Sequence, residues 1–298
     1  MSKKALFGLV LTIVFSIQGR AQDREPSIRN VDYGMYSGLA LLLDVYKPAD
    51  GNGAGIIFIN GSGWHAGKEM SANPLKSGYP YMDRIRNVLL DAGYTVFSIN
   101  HRAAPRFKYP DAVDDTRRAV QFVRYHADRF GITGDKLGAL GHSSGAHLAA
   151  MVGVLDESTE VIEGDPVSEQ SAKVRSVVTI AAPMDLSLLS TSGVMAGATP
   201  SLVTFLGERP VQSEDGISLE GVYAEASPVS HVSADDASFF IIQGLSDQVV
   251  PPDNASVMHS ALTQAGVFVK LLELGGGHGP EFDPLLTVEW FDQTLIEE

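Results

Sequence analysis

Short, continuous runs of apolar and β-branched residues alternate along this chain with longer segments of helical periodicity. Gly55–Asn60 and Tyr94–Asn100 are two such runs, and both have the length of a strand rather than of a helix. Runs of this kind are typical of strands that are buried on both faces, as in parallel sheets. The helical segments between them, such as Asp111–Phe130, supply the crossover connections that parallel strands need. The alternation therefore predicts an α/β fold with a mostly parallel central sheet and helices on both faces.

The same periodicity places the remaining elements. Further strands are predicted at 40–46, 136–142, 174–181, 239–243 and 267–272, and further helices at 81–92, 144–154, 255–264 and 284–296. The stretch 187–230 interrupts this order, because it is long, rich in Gly and Ser and weakly patterned. Connections of that length are uncommon unless they are functional or disordered. We interpret 187–230 as a cap-like insertion over the site, with a short helix at Ser201–Leu206; a surface excursion is the alternative.

The first residues have the composition of a secretory signal. Two lysines near the start are followed by an apolar run over 5–17, and Gly19 and Ala21 are small residues of the kind found at a cleavage site. The run is shorter than the roughly 20 residues that a membrane-spanning helix needs, so we favour cleavage after Ala21 over a membrane anchor. We therefore predict a signal peptide over 1–21, a single domain over 22–298, and a secreted or periplasmic protein.

Composition excludes several classes of function. The chain has no cysteine, which rules out disulfides, thiol catalysis and cysteine-ligated metals. The formal net charge is −14, and the predicted signal holds three of the 22 basic residues and none of the 36 acidic ones. Such an acidic surface repels nucleic acid and anionic membranes. We expect neither as a partner and no further membrane span, and the sequence leaves the oligomeric state open.

The strongest catalytic signal is a Gly-x-Ser-x-Gly motif at 141–145, with Ser143 at its centre. The motif gains meaning from its context, because a predicted strand precedes it and a predicted helix follows it. A sharp turn at this junction lifts the serine hydroxyl above the sheet, and glycines on either side avoid collisions with neighbouring backbone. The amide of Ser144 then lies at a helix start, where it can face a developing anion. We predict Ser143 as the nucleophile.

A second glycine-rich turn, 60–64, closes the strand Gly55–Asn60. Attack by a serine places negative charge on the former carbonyl oxygen, and fixed backbone donors there are worth roughly 3–4 kcal/mol each. We expect the oxyanion hole to use the amide of Gly63, helped by Ser62 or Trp64, together with the amide of Ser144. Trp64 also suits the wall of a substrate pocket, and a plain surface turn is the alternative for this loop.

A serine nucleophile needs a base, and histidine has suitable proton chemistry near neutral pH. Of the eight histidines, His278 stands in a glycine-rich loop after the last predicted strand, where ligand crevices of such sheets occur. Asp247 follows the preceding strand and is the expected acid that orients the imidazole. Asp185, after the strand before that, is the runner-up acid. The order Ser143, Asp247, His278 is the chain order of α/β-hydrolases.

No motif indicates metal or cofactor chemistry. The chain lacks His-Glu-x-x-His and a closely spaced His/Asp set, and its glycines form neither Gly-x-Gly-x-x-Gly at a strand–helix junction nor a P-loop. We therefore expect no metal and no cofactor.

Several stretches resemble bacterial carboxylesterases of the α/β-hydrolase superfamily, and specifically the feruloyl and acetyl-xylan esterase-like branch that is related to hormone-sensitive lipase. They are the segments 43–48, 60–68, 100–115, 141–149, 227–251 and 276–279. Four positions depart from the usual pattern. Asn60 stands in place of histidine and Ser62 in place of glycine, while His101 replaces a tyrosine and His142 a frequent glutamate.

The resemblance implies an α/β-hydrolase fold with a small insertion after the sixth strand. It also implies hydrolysis of short-chain acyl esters, or of acetyl or feruloyl esters on carbohydrates, through an acyl-enzyme. We further expect Trp64, His65 and His142, which flank the elbow and the oxyanion loop, to contact the substrate. The alternatives are a peptidase or amidase on the same fold and a non-catalytic binding module.

Overall fold

The structure, a computed structural model, describes residues 24–66, 75–157, 161–191, 199–208, 212–213, 216–217 and 221–297. The predicted signal over 1–21 and several parts of the predicted insertion lie outside these residues. Within the described ranges, no helix is both long and apolar enough to traverse a bilayer.

An eight-stranded sheet forms the centre of the molecule. Its strands are β1 (Ile28–Tyr36), β2 (Leu39–Tyr46), β3 (Gly55–Ile59), β4 (Thr95–Ile99), β5 (Leu137–His142), β6 (Ser176–Ile180), β7 (Ser238–Gly244) and β8 (Val269–Leu274). The spatial order is β1-β2-β4-β3-β5-β6-β7-β8. Strand β2 is antiparallel to β1 and β4, and all other neighbours in the sheet are parallel. The predicted mostly parallel sheet is thus confirmed.

Helices connect the strands and cover both faces of the sheet. They are α1 (Pro80–Asp91), α2 (Asp111–Tyr125), α3 (Ala127–Phe130), α4 (Ser144–Val154), α5 (Leu186–Thr191), α6 (Thr199–Leu206), α7 (Val222–Glu225), α8 (Asp253–Ala265) and α9 (Leu285–Phe291). A 3-10 turn at Pro228–His231, a π-helical turn at Asp292–Ile296 and a pair of two-residue strands, Gln212–Ser213 and Gly216–Ile217, complete the described elements.

Alternate residues of the central strands contribute to two separate hydrophobic cores. In β3, Ile57 packs into the core that α2, α4 and α8 cover, whereas Phe58 packs into the core under α1 and α9. All five residues of β3 are buried, as its continuous apolar run predicts. The sheet is therefore fixed from both sides, which gives the loops at its edge a rigid base.

Two elements differ from the sequence prediction. The pattern does not predict β1, because only Val31 and Tyr33 of its nine residues are buried and no apolar run marks it. The predicted helix over 111–130 ends at Tyr125, and the short helix α3 continues the segment to Phe130. The residue between them, His126, has a backbone conformation outside the helical region.

The insertion follows β6, the sixth strand, and leads to β7. Its described part holds α5, α6, α7, the pair of two-residue strands and the 3-10 turn. The predicted short helix over 201–206 is present as Thr199–Leu206.

The parallel strands end at one edge of the sheet, and the predicted site residues follow directly. The loop of Gly63 comes after β3, Ser143 after β5, Asp247 after β7 and His278 after β8. The topology thus gathers residues that are far apart in sequence.

Candidate active site

Ser143 lies at a strained turn between β5 and α4. Its backbone has φ 55° and ψ −126°, an unfavourable conformation for a residue with a side chain, and such strain is often stored at functional sites. The turn is held by a hydrogen bond from the Ser143 amide to the carbonyl of Ile180 on β6, at 2.8 Å. A Cβ on Gly141 would lie 2.3 Å from the carbonyl oxygen of Gly145. Only glycine at 141 allows α4 to begin so close to the strand.

The structure brings Ser143, His278 and Asp247 into contact. Ser143 Oγ lies 2.8 Å from Nε2 of His278, and Nδ1 of His278 lies 2.9 Å from Oδ2 of Asp247. The carboxylate accepts from Nδ1–H, which leaves Nε2 with a lone pair directed at the serine hydroxyl. This is the relay of nucleophile, base and orienting acid that acyl transfer requires.

The carboxylate of Asp247 is held in its ionised form. Its side chain is fully buried, and burial by itself would raise its pKa. The hydrogen bond and charge of His278 act in the opposite sense, as do the amides of Val249 and Val250, which donate to Oδ1 at 2.7 and 2.9 Å. The net effect is a pKa below the usual value for an aspartate. A buried anion beside the imidazole stabilises the imidazolium that forms during the reaction.

Asp185, the alternative acid, instead accepts hydrogen bonds within its own turn. Its Oδ1 accepts hydrogen bonds from the amide and the hydroxyl of Ser187, at 2.9 and 2.6 Å. Its own amide donates to the side chain of Asn254 on α8. The geometry therefore favours Asp247 as the partner of His278.

The predicted oxyanion loop lies beside the nucleophile. Gly61 is in close contact with the elbow, since a Cβ there would lie 2.8 Å from the carbonyl oxygen of His142 and 2.9 Å from Cβ of Ser143. The amide of Ser62 donates to Oγ of Ser144 at 2.9 Å, so this donor is already engaged. The amides of Gly63 and Ser144 have no hydrogen-bond partner among the described residues.

Trp64 is fixed by contacts on several sides. Its indole Nε1–H donates to Nδ1 of His147 at 3.1 Å, and Nε2–H of His147 donates to the carbonyl of Ala226 at 2.7 Å. The indole also stacks on Phe205, with ring centroids 4.5 Å apart and planes 6° from parallel. Trp64 has φ 60°, a left-handed conformation that costs energy in a bulky residue. These contacts offset that cost and hold the loop in one conformation.

His147 must be neutral to make both hydrogen bonds, because one ring nitrogen accepts while the other donates. Complete burial lowers its pKa to about 4, although its hydrogen bond to Ala226 acts in the opposite direction. The residue lies on α4, one turn after Ser143, and its amide donates to the Ser143 carbonyl. His147 therefore connects the nucleophile helix, the oxyanion loop and the insertion.

The side chain of His65 makes hydrogen-bond contacts with other residues of the protein and does not line the cavity. Its Nδ1 lies 2.5 Å from the carbonyl of Gly63, and its Nε2 lies 2.7 Å from the hydroxyl of Thr204 on α6. Both ring nitrogens are thus engaged. His65 thus links the predicted oxyanion loop to the insertion, and its contact with substrate stays a prediction.

His142 lies against His278, the predicted base. Its Nε2 is 2.7 Å from the main-chain carbonyl oxygen of His278, and the two ring centroids are 4.9 Å apart. The rings of Tyr79 and Tyr81 meet His142 nearly perpendicularly, at 5.7 and 5.2 Å. Burial lowers the pKa of His142 to about 4, so its imidazole is neutral. Its Nδ1 is buried and has no partner among the described residues.

A cavity of about 460 Å³ opens above the nucleophile. Its wall includes the oxyanion loop, the triad residues Ser143 and His278, and Leu189 and Ser201 from the insertion. The remaining lining residues are Tyr79, His142, Ser144, Pro183, Gln248, Val249 and Val250. Trp64 contributes to this wall although it is only 4% exposed, so most of its surface faces the protein. The volume suits a small ester.

Sequence reasoning did not predict that Tyr79 and His147 lie at the candidate site. His147 lies within the helix that follows the elbow, where the apolar pattern gives no sign of a polar network. Tyr79 precedes Pro80 at the start of α1, and an aromatic residue at a helix start carries no recognisable signal. The spacing of His147, four residues after the nucleophile and thus on the same helical face, was the available clue.

Comparison with protein families gives one match that covers most of the chain. The model of the BD-FAE family matches residues 43–262. The chain belongs to the BD-FAE family. This finding confirms the predicted resemblance to the feruloyl and acetyl-xylan esterase-like branch of the α/β-hydrolases.

Curated relatives include two proteins of Mycobacterium tuberculosis. The probable carboxylic ester hydrolase LipM is 29% identical over 231 residues, which cover 76% of this chain and 49% of LipM. Esterase LipC is 28% identical over 300 residues, which cover 94% of this chain and 69% of LipC. This chain thus matches only about half the length of LipM.

Solved structures share the fold. A truncated form of a carbohydrate esterase from gut microbiota is 27% identical, with a TM-score of 0.69, and the match covers 89% of this chain and 92% of that one. An acetyl ester-xyloside bifunctional hydrolase from Caldicellulosiruptor lactoaceticus has a TM-score of 0.68 at 22% identity, covering 89% of this chain and 93% of that one. At that identity the second likeness supports the α/β-hydrolase fold alone.

Proposed function

We propose that this protein is a serine carboxylesterase that works through an acyl-enzyme. One observation carries the proposal: Ser143 Oγ, the His278 imidazole and the Asp247 carboxylate form a continuous hydrogen-bonded relay at 2.8 and 2.9 Å. The relay opens into the cavity above the nucleophile. Membership of the BD-FAE family and the names of the curated relatives support ester hydrolysis as its reaction.

In the first step, Nε2 of His278 takes the proton of the Ser143 hydroxyl while Oγ attacks the ester carbonyl carbon. Negative charge moves to the carbonyl oxygen, and the amides of Gly63 and Ser144, which have no partner in the described part of the chain, are the donors best placed to receive it. The C–O bond to the alcohol then breaks, and the departing oxygen takes the proton from His278. An acyl-enzyme on Ser143 remains.

The second step repeats the chemistry with water. His278 removes a proton from water, whose oxygen attacks the acyl carbon, and Ser143 leaves as its Oγ recovers the proton. The carboxylic acid is released and the relay is restored. Asp247 holds the imidazole in one tautomer throughout and stabilises its charged form.

The substrates that we propose are esters of short acyl groups, among them acetyl and feruloyl esters on carbohydrates. A cavity of about 460 Å³ accommodates a small acyl group and part of an alcohol. The similarity to a carbohydrate esterase from gut microbiota supports carbohydrate alcohols. Secretion or export to the periplasm, based on the signal-like segment 1–21, fits a substrate outside the cytoplasm.

The test is the Ser143→Ala variant, assayed with nitrophenyl acetate. We expect turnover to fall by on the order of 10⁴-fold or more, with unchanged circular dichroism and melting temperature. A fluorophosphonate probe should label the wild type and leave the variant unlabelled. Near-normal turnover by folded Ser143→Ala protein would overturn the proposal, and cleavage of aminoacyl anilides in preference to esters would favour an amidase.

A further inference from the structure

Tyr79 is an exposed aromatic residue at the rim of the cavity. Its side chain is among the large apolar groups that remain open to solvent, with 54% of the residue exposed. Three other aromatic residues are about as exposed, namely Tyr36, Tyr125 and Phe268. None of those three lines the cavity that contains Ser143. Single exposed apolar residues are common on protein surfaces, so the place of Tyr79 at this cavity, rather than its exposure, is what indicates contact with a ligand.

The ring of Tyr79 is held in position rather than free. Its backbone forms the N-cap of α1 and directly precedes Pro80, which restricts its conformation. Its side chain stacks beside Tyr81, with centroids 5.9 Å apart and planes 15° from parallel, and meets the ring of His142 at 89°. A flat apolar surface that is fixed before binding loses little entropy when a ligand covers it.

The position of Tyr79 relative to His278 indicates which half of an ester it meets. The departing alcohol oxygen takes its proton from Nε2 of His278, so the alcohol lies on the side of that imidazole. His142 is in ring contact with His278 at 4.9 Å and with Tyr79 at 5.7 Å. Tyr79 is therefore joined to His278 through one intervening ring, and both residues line the cavity that contains Ser143.

We propose that Tyr79 forms the alcohol subsite and selects esters whose alcohol carries a ring with an apolar face, either a sugar or an aryl group. The inference rests on the proposed esterase function. The amphipathic tyrosine ring packs against such a face, whereas a small linear alcohol leaves the tyrosine ring exposed to solvent.

The test compares three acetates of unactivated alcohols: ethyl acetate, phenethyl acetate and an acetylated methyl xyloside. All three form the same acetyl-enzyme, so a ratio of kcat/KM values cancels any effect on Ser143 or His278. In Tyr79→Ala the ratio of ring-bearing ester to ethyl acetate should fall about tenfold, equivalent to about 1.4 kcal/mol. Tyr79→Phe should retain the ratio, and so should Tyr125→Ala, the matched exposed tyrosine outside the cavity.

The two ring-bearing acetates distinguish a subsite for a sugar ring from a subsite for an aryl ring. A drop for the xyloside alone identifies a sugar subsite, and a drop for phenethyl acetate alone identifies an aryl subsite. An unchanged ratio for both substrates in Tyr79→Ala overturns the inference.

A binding measurement keeps the inference separate from the proposed function. Saturation-transfer NMR with phenethyl alcohol and methyl xyloside needs no turnover, and Tyr79→Ala should lose the signal of at least one of them. If the wild type hydrolyses none of the acetates but shows Tyr79-dependent saturation transfer, the subsite stands and the esterase proposal fails. Equal signals from wild type and Tyr79→Ala refute the subsite regardless of activity.

Discussion

Nε2–H of His142 donates a hydrogen bond to the main-chain carbonyl oxygen of His278, at 2.7 Å. The residue just before the nucleophile thus holds the loop that carries the base. The loop is also tied from the other side, where the amide of Ser246 donates to the carbonyl of Gly276 at 2.8 Å. His142 is therefore a positioning residue, and its buried, neutral imidazole suits that role.

We predict that His142→Phe, which keeps a ring but removes the donor, lowers kcat by roughly 10- to 100-fold, because small displacements of a base are costly. KM should change little. His142→Gln should recover part of kcat, because its amide nitrogen can reach the same carbonyl. Steady-state kinetics on a nitrophenyl ester test this, and a wild-type kcat in His142→Phe would contradict the positioning role.

The two candidate acids should respond very differently to the same substitution. Asp247→Asn should lower kcat by about 10⁴-fold, since the amide favours the wrong tautomer of His278. Asp185→Asn is the matched control, because Asp185 contacts Ser187 and Asn254 rather than the base. Its kcat should remain close to wild type. Equal losses in the two variants would argue against Asp247 as the orienting acid.

The hydrogen bond of Trp64 to His147 should contribute to both stability and rate. Trp64→Phe keeps an aromatic ring against Phe205 but leaves Nδ1 of His147 buried without a donor, which costs about 1–3 kcal/mol. Trp290→Phe is the matched control, since Trp290 is equally buried but its indole nitrogen has no partner among the described residues. Urea unfolding should show the larger loss for Trp64→Phe.

Measuring kcat provides a second test of the variants Trp64→Phe and Trp290→Phe. Only Trp64→Phe should also lower kcat, because Trp64 borders the oxyanion loop and Trp290 lies in the core on the opposite face of the sheet. An unfolding free energy lowered by the same amount in both variants would remove the hydrogen bond as the explanation.

Stability should decrease in mild acid because of buried histidines. Burial lowers the pKa values of His101, His142 and His147 from 6.5 to about 4. Between these values the unfolded chain binds protons that the folded chain does not, so the unfolding free energy falls as the pH drops from 6.5 towards 4. The slope is up to about 1.4 kcal/mol per pH unit for each histidine.

His101→Asn tests this dependence away from the catalytic groups. Nδ1–H of His101 donates to the carbonyl of Arg102 at 2.8 Å, and the asparagine amide nitrogen can take its place. Urea unfolding at pH 5 and pH 7 should give a smaller difference in unfolding free energy for the variant than for the wild type. An identical difference would mean that His101 does not contribute.

Sequence patterns predicted the middle of the sheet well because the strands β3 to β7 are buried on both faces. A strand such as β3 has no polar position and is recognisable without any partner. The same argument explains why β1 is not predicted, since it lies at the edge of the sheet and only Val31 and Tyr33 of its residues are buried. Edge position depends on topology, which a local pattern does not contain.

The candidate site likewise has residues that the sequence predicts and contacts that it does not predict. Ser143, Asp247 and His278 follow the ends of strands, and glycines surround Ser143 and His278, so local sequence and chain order together predicted them. The contacts of His65 with Thr204 and of Trp64 with His147 join segments more than 80 residues apart. Nothing in the neighbouring sequence encodes such contacts, and they required coordinates.

The contacts of helix α6 have a consequence for how the sequence of this protein can change during evolution. Through Phe205 and Thr204 it holds the loop that faces the reacting oxygen, and through Ser201 it also forms the pocket wall. Mutations that reshape the pocket here would disturb the machinery of the reaction as well. New substrate preferences should therefore arise more readily from the Tyr79 side, where the wall can vary without moving that loop.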